Sequence, residues 1–324
     1  MTGWRAGGTR FEPDDVAPIA VARRSGFDES LFHGAGVVVS PDGTRVAALG
    51  RPDLAVYPRS ALKPLQAVAM LRLGLELPRE LLAVACASHD GAPEHVAAVR
   101  RLLAGFGLDE ADLQNTPSHP LQIAARDALI TEGILPAPVY MNCSGKHAAM
   151  LATCRINGWP IASYLEFDHP LQEEIRLTLE QLGTTVEYVG VDGCGAPTHV
   201  IPLDRLAAAY ATLPGTEVHA AMTGHPGLVG GPARDVTLWM SAVPGLLAKE
   251  GAAAVMAFVL PDGTAGAYKI APGVDPVRRV VFPMALTRAG VDVDAHPVTL
   301  DSIAEPVLGH GERVGEIRPL DWSR

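Results

Sequence analysis

Gly34-Ala35-Gly36-Val37-Val38-Val39 and Arg45-Val46-Ala47-Ala48-Leu49 are apolar runs hinged on Ser40-Pro41-Asp42-Gly43-Thr44, and residues 255–270 repeat the arrangement around Pro261-Asp262-Gly263. Two apolar runs joined by a Pro-Asp-Gly turn make a β-hairpin pattern. Between the hairpins, apolar residues recur at helical spacing and predict helices over 61–73, 80–87, 94–104, 125–132, 146–157, 172–182, 204–213 and 237–247. Strands at both ends of a helix-rich middle, about residues 60–250, predict an α+β fold in which N- and C-terminal hairpins share one sheet. Residues 1–30 read as a polar lead-in containing Gly and Arg, of which 1–17 is expected to be a flexible tail.

The chain has 324 residues, enough for about two domains or one large one. With no internal repeat beyond the hairpins and no linker, the single domain over 1–324 is the expectation. Apolar residues make up 48% and charged residues 19%, a globular balance. The longest apolar run, 252–260, is strand length, well short of the roughly 18 residues of a bilayer span. The first 15 residues hold no hydrophobic segment of the kind that begins a secretory signal, so a cytoplasmic protein is expected. The net charge of −10, without a basic block, argues against nucleic acid and anionic membranes as partners and favours a small-molecule enzyme.

Four cysteines, Cys86, Cys143, Cys154 and Cys194, are too few for a disulfide scaffold and are expected as free thiols or ligands. The basic residues are 22 Arg but only four Lys, at Lys63, Lys146, Lys249 and Lys269. Arginine keeps its proton at working pH, whereas a buried lysine can lose it, so lysines retained in this background are candidates for base or ligand roles.

Tyr57-Pro58-Arg59-Ser60-Ala61-Leu62-Lys63-Pro64 leads into a helical run, and Pro64 places Ser60 and Lys63 at its first turn. Positions i and i+3 share a helix face, so the Lys63 amine is expected within reach of the Ser60 hydroxyl, where a desolvated amine can activate it. The plain alternative is a capping serine beside a solvated lysine. Cys86-Ala87-Ser88-His89-Asp90-Gly91 offers a second hydroxyl and an imidazole; Ser88 could equally cap the helix near Glu94. Asn142-Cys143-Ser144-Gly145-Lys146-His147 follows an expected extended stretch, 137–141, and opens a helix. Val191-Asp192-Gly193-Cys194-Gly195-Ala196-Pro197 is a tight turn after the β-like segment 186–191. If the two turns meet, Cys143, Lys146, Asp192 and Cys194 make a chemically possible zinc site, although buried structural cysteines are the commoner case. Arg234 follows a Gly-Gly bend and could grip a carboxylate. Lys249, two residues before Gly251, is read either as a catalytic lysine beside a sheet edge or as a helix C-terminal lysine. Lys269, within a strand, is read as structural.

Taken in order, Arg59-Ser60-x-x-Lys63-Pro64, Ala87-Ser88-His89-x-Gly91, Asn142-Cys143-Ser144-Gly145-Lys146-His147, Asp192-Gly193-Cys194-x-x-Pro197 and Lys249-x-Gly251 resemble the bacterial L-asparaginase II family of the Rhizobium etli thermolabile type, over about residues 18–320. The threonine-nucleophile asparaginases are a different family. The tripeptide Gly7-Gly8-Thr9 resembles theirs only by chance, lacking a preceding strand. The resemblance implies a serine β-lactamase and glutaminase-like fold, hydrolysis of L-asparagine to aspartate and ammonia, and a homodimer. It pairs Ser60 with Lys63 and Ser88 with Lys249 as two serine-lysine tandems, and matches Cys143, Lys146, Asp192 and Cys194 to a zinc site. Ser60 is the favoured nucleophile on this reading, with helix-start N–H groups as oxyanion donors. Arg59, His89 and Arg234 are candidates to hold the amino-acid head group. Where the family commonly carries an acidic residue after the Ser-His-x-Gly motif, this chain has Ala92.

Two other readings stay open at this level. One is a glutaminase or other serine amidohydrolase of the same fold. The other is a non-catalytic metal or amino-acid sensor, against which the two serine-lysine pairs argue.

Overall fold

The computed structural model describes residues 11–322. Eleven strands are described: β1 (Ala17–Arg24), β2 (Phe27–Val39), β3 (Arg45–Leu49), β4 (Ala55–Val56), β5 (Tyr188–Val191), β6 (Pro197–Pro202), β7 (Leu247–Gly251), β8 (Val255–Val259), β9 (Ala265–Ile270), β10 (Val307–Gly309) and β11 (Glu312–Pro319). Eight of them form one antiparallel sheet in the order β10-β11-β1-β2-β9-β8-β7, with β3 also paired to β2. Both Pro-Asp-Gly turns close as read. Gly43 N–H donates to Ser40 O at 2.9 Å and Gly263 N–H to Leu260 O at 3.0 Å, while Asp42 and Asp262 carboxylates accept from Thr44 and Thr264 N–H. The two hairpins meet along β2 and β9, with Val37 opposite Ala267, so the ends of the chain share the sheet.

The middle of the chain supplies helices α1 (Lys63–Arg72), α2 (Arg79–Ala85), α3 (Pro93–Gly105), α4 (Ile123–Thr131), α5 (Ser144–Asn157), α6 (Pro170–Gln181), α7 (Leu203–Tyr210), α8 (Glu217–Gly224), α9 (Pro226–Val229) and α10 (Asp235–Ala242). Beyond the second hairpin come α11 (Asp275–Arg288) and α12 (Leu300–Ile303). α7 packs on β2, β8 and β9, and α11 packs on β1, β9 and β11. Their buried residues, Leu203, Leu206, Ala207 and Tyr210 on one and Val277, Val280, Val281 and Ala285 on the other, follow the three-to-four spacing of an inward helix face. A smaller sheet, β4-β6-β5, carries the Asp192–Ala196 turn. Among the described residues no helix is long and apolar enough to cross a membrane.

Four expectations are corrected. Residues 1–10, including Gly7-Gly8-Thr9, lie outside the described residues. The rest of the expected tail is built into the fold: Pro13–Asp15 form a 3₁₀ turn, and the buried Asp15 carboxylate pairs with Arg51 Nη1 at 2.6 Å. Most of the polar lead-in, from Ala17, is β1 and the start of β2. The helix expected over 237–247 stops at Ala242, before Pro244, and Leu247 opens strand β7. Lys249 therefore lies in a strand, not at a helix end. The stretch 137–141 is a 3₁₀ turn at Pro138–Tyr140 rather than extended chain.

Candidate active site

Ser88 follows α2 on a segment fixed by its own N–H, which donates to Val229 O at 2.9 Å. Two amines meet its hydroxyl. Lys63, the first residue of α1, has its Nζ 3.1 Å from Ser88 Oγ and also donates to Ala87 O. Lys249, on the edge strand β7, has its Nζ 2.9 Å from the same oxygen. All three side chains are buried, Ser88 at 4% exposure, Lys63 at 2% and Lys249 at 0%. A buried ammonium needs acceptors on every side. Lys249 finds them in Ser88 Oγ, Glu250 O at 3.0 Å and Glu250 Oε1 at 3.1 Å.

Burial pushes the Lys249 amine down to about 8, with Lys63 adding to the fall and Glu250 opposing it. Glu250 stays ionised: burial raises it, but Lys249, Arg234 and Arg278 outweigh that. Arg234 Nη2 donates to Glu250 Oε1 at 3.2 Å, so Arg234 braces the carboxylate behind Lys249. Glu250 was the one member of the Lys249-Glu250-Gly251 motif that the sequence reading passed over. Its signal was there in principle, as an acidic residue next to a lysine singled out as functional.

Gly251 makes the arrangement possible. A Cβ at this position would collide with Pro58 O, so glycine allows β7 to lie directly against the turn that carries Arg59 and Ser60. That 3₁₀ turn, Arg59–Leu62, begins with Arg59 at φ +54°, a left-handed conformation costly for an arginine. Arg59 is held there by Asp192, whose Oδ1 accepts from Nε at 2.7 Å and lies 2.5 Å from Nη2. Ser60 is half-exposed, and among the described residues no hydrogen bond joins its hydroxyl to the Lys63 amine. Lys63 turns instead to Ala87 and Ser88. The expected oxyanion donors at this turn are also engaged: Ala61 N–H bonds Pro58 O, and Lys63 N–H bonds Ser60 O.

The second cluster joins the two cysteine turns. Cys143, Cys194 and Ala196 pack together in a small buried group, and Lys146 Nζ donates to Cys194 Sγ at 3.2 Å. A hydrogen bond from Cys194 holds the Cys143 thiol well below its ordinary value, aided by Lys63 and Lys146 against the cost of burial. Burial pulls Lys146 down, but the neighbouring Cys194, Cys143 and Asp192 charges raise it overall. Asp192 is kept ionised, since Lys146 and Arg59 outweigh burial. Among the described residues no three His, Cys, Asp or Glu side chains form a group able to hold a metal, and Asp192 is engaged by Arg59. The other cysteines, Cys86 and Cys154, are each pushed up to about 12 by burial and remain thiols.

His89 is fully buried, stacks on His95 with centroids 5.2 Å apart, and hydrogen-bonds Ser144 Oγ through Nε2 at 2.9 Å. It ties the Ser88 segment to the helix bearing Lys146 rather than facing solvent. Of the three head-group candidates, then, Arg59, His89 and Arg234 all have partners within the protein. Ser144, the anchor of His89, was quoted in the sequence motif without a role.

Comparison with known proteins adds three findings. No curated protein matches the sequence. Among solved structures, a β-lactamase from Mycobacterium bovis covers 80% of this chain and 95% of its own, at 17% identity and a TM-score of 0.38, too distant to carry an argument. The family model for L-asparaginase II runs over residues 20–319, from β1 to β11 and through every cluster residue named above, and the chain belongs to that family.

Proposed function

We propose that the protein hydrolyses the side-chain amide of L-asparagine to L-aspartate and ammonia, in the manner of the Rhizobium etli thermolabile type. The observation that carries this reading is the buried Ser88 hydroxyl held between Lys249 Nζ at 2.9 Å and Lys63 Nζ at 3.1 Å. It supports Ser88 as the nucleophile over Ser60.

Lys249, with its amine near 8, takes the Ser88 proton as Oγ attacks the amide carbon. The Lys63 ammonium faces the negative charge that develops there. As the tetrahedral adduct collapses, Lys249 returns the proton to the leaving nitrogen and ammonia departs, leaving an aspartyl ester on Ser88. Water, deprotonated by the same amine, attacks the ester, releasing aspartate and restoring the hydroxyl. Glu250 and Arg234 hold Lys249 in place throughout.

The donor types of the second cluster suit a zinc ion, although as they stand they form no metal-holding group: two thiols, one already inclined to ionise, and an amine converge, and binding would require Lys146 to give up its proton and Asp192 to leave Arg59. Cys143, Lys146, Cys194 and Asp192 would hold it, and a zinc ion with four protein ligands orders a site rather than activating water.

Ammonia release from L-asparagine, with L-glutamine in parallel, tests the activity. Acid-quench mass spectrometry of peptides containing Ser88 or Ser60 tests the nucleophile. Ester mass on Ser88, with loss of turnover in Ser88→Ala, is expected. Ester on Ser60 would reverse the assignment, and no ammonia from either amide by folded, metal-replete protein would favour a sensor.

A further inference from the structure

Three of the four lysines stand in the two clusters; the fourth, Lys269, is assigned by none of this. It lies on β9, opposite Val255 of β8 and Ala35 of β2. Its side chain is half-buried, and Nζ donates to two main-chain carbonyls, Ala253 O and, at 2.8 Å, Ile270 O. Ala253 and Ala254 belong to the connection between β7 and β8, and both are left-handed, at φ +59°. Two consecutive alanines in that region each cost free energy and persist only where the surroundings hold them. Lys269 supplies a hold, together with Ile270 N–H, which donates to Ala254 O at 3.0 Å.

The connection matters for what precedes it. Gly251, two residues before Ala253, presses against Pro58 O and the Ala61 N–H region, and Lys249 is two residues earlier still. The turn carrying Arg59 and Ser60 and the strand carrying Lys249 are thus set against each other at the end of β7 that Lys269 ties down. Resting on the activity proposed above, we infer that Lys269 is a positioning residue: its ammonium clamps the Ala253–Ala254 connection and so keeps Gly251 seated on the Pro58–Ala61 backbone, with Lys249 in register beside Ser88.

The clamp needs the charged amine, because a neutral amine is a weaker donor to two carbonyls. Burial, with the Arg59 charge adding to it, pulls Lys269 down to about 8. The residues opposite it on β2 and β8, Ala35 and Val255, carry no charge, and Arg59, on the turn, is the charged neighbour that acts on it. The clamp therefore weakens as pH rises through about 8.

The test compares wild type with Lys269→Met and Lys269→Arg, using hydrogen exchange and pH–rate profiles. In Lys269→Met, exchange at Ala61 N–H should quicken along with the 252–254 connection, while α11 stays protected, and kcat should fall at least tenfold. Lys269→Arg should restore both and remove the alkaline decline of the profile. Faster exchange confined to 252–254 with wild-type turnover, or an alkaline decline that survives in Lys269→Arg, would overturn the inference. If Lys269→Met fails to fold, the Lys269→Arg profile still decides. If the wild type releases no ammonia, the activity reading fails, and the exchange arm still reports whether Lys269 holds the Pro58–Ala61 turn.

Discussion

Lys249 Nζ and Ser88 Oγ lie 2.9 Å apart although 161 positions separate them in the chain. The contact joins an edge strand of the main sheet to the segment after α2. In the proposed mechanism Lys249 must be neutral to accept the serine proton, and its amine sits near 8, so activity should rise with pH toward about 8, and in Lys269→Arg, without the alkaline decline inferred above, the rise should continue through that pH. A pH–rate profile of kcat/KM locates that limb. Lys249→Arg, which stays charged, should lose at least about 100-fold, the lower end of general-base contributions.

Gly251→Ala places a methyl group against Pro58 O. Overpacking of this kind costs about 1–3 kcal/mol. Urea unfolding should show that loss, and turnover should fall by more than the stability change explains, since the displaced segment carries Arg59 and Ser60.

Arg278 is fully buried and grips Asp235 through two hydrogen bonds of 2.8 and 3.0 Å. Removing Asp235 leaves the buried guanidinium with Asp275 on Nε as its remaining carboxylate, so Asp235→Ala should cost up to about 3–5 kcal/mol in urea unfolding. The paired replacement of both by apolar residues should cost much less.

Acid should unfold the protein in two stages. Burial keeps His89 and His147 well below 6.5 and His199 down to about 4, so the folded state refuses protons that the unfolded state binds. Stability falls as pH drops below 6.5. Asp275 works in a lower window. Burial would raise it, but Arg278 and Arg279 hold it at about 2, against 3.8, so its contribution is present above 3.8 and is lost as pH falls toward 2. Thermal melts from neutral pH down to about 2 should show both declines, and Asp275→Asn should flatten only the second.

Elemental analysis of protein grown with zinc should find one ion per chain, absent from Cys194→Ser. Unfolding of the wild type should shift to lower temperature with chelator while the variant stays unmoved. A metal-free wild type with full turnover would remove zinc from the proposal.

The sequence announced the parts of the fold that local chemistry dictates. Asp42-Gly43 and Asp262-Gly263 close their own turns through side-chain and main-chain bonds, so both hairpins were legible. The strand carrying Lys249 was not, because Leu246, Leu247 and Ala248 continue the apolar spacing of α10; Pro244 was the stop signal that the helical reading overran. β11 was missed because its residues are half-exposed or exposed and show no apolar run. At the site, the serines and lysines could be named, but their pairing is tertiary. A local spacing rule joins Lys63 to Ser60, whereas a buried ammonium goes where acceptors are, and Ala87 O and Ser88 Oγ provide them. The brace of Glu250 and Arg234 likewise exists only once β7 and α10 are in place.

The pairing of β1 with β11, Ala20 opposite Pro319, bears on how the molecule is made. β1 leaves the ribosome long before its partner β11, and Lys249 emerges long after Ser88. Contacts of such sequence separation slow folding. During synthesis the Ser88 hydroxyl lacks its Lys249 partner, and on the proposed mechanism chemistry begins only when β7 docks. A nascent chain halted before β7 would carry the serine and Lys63 yet show no turnover.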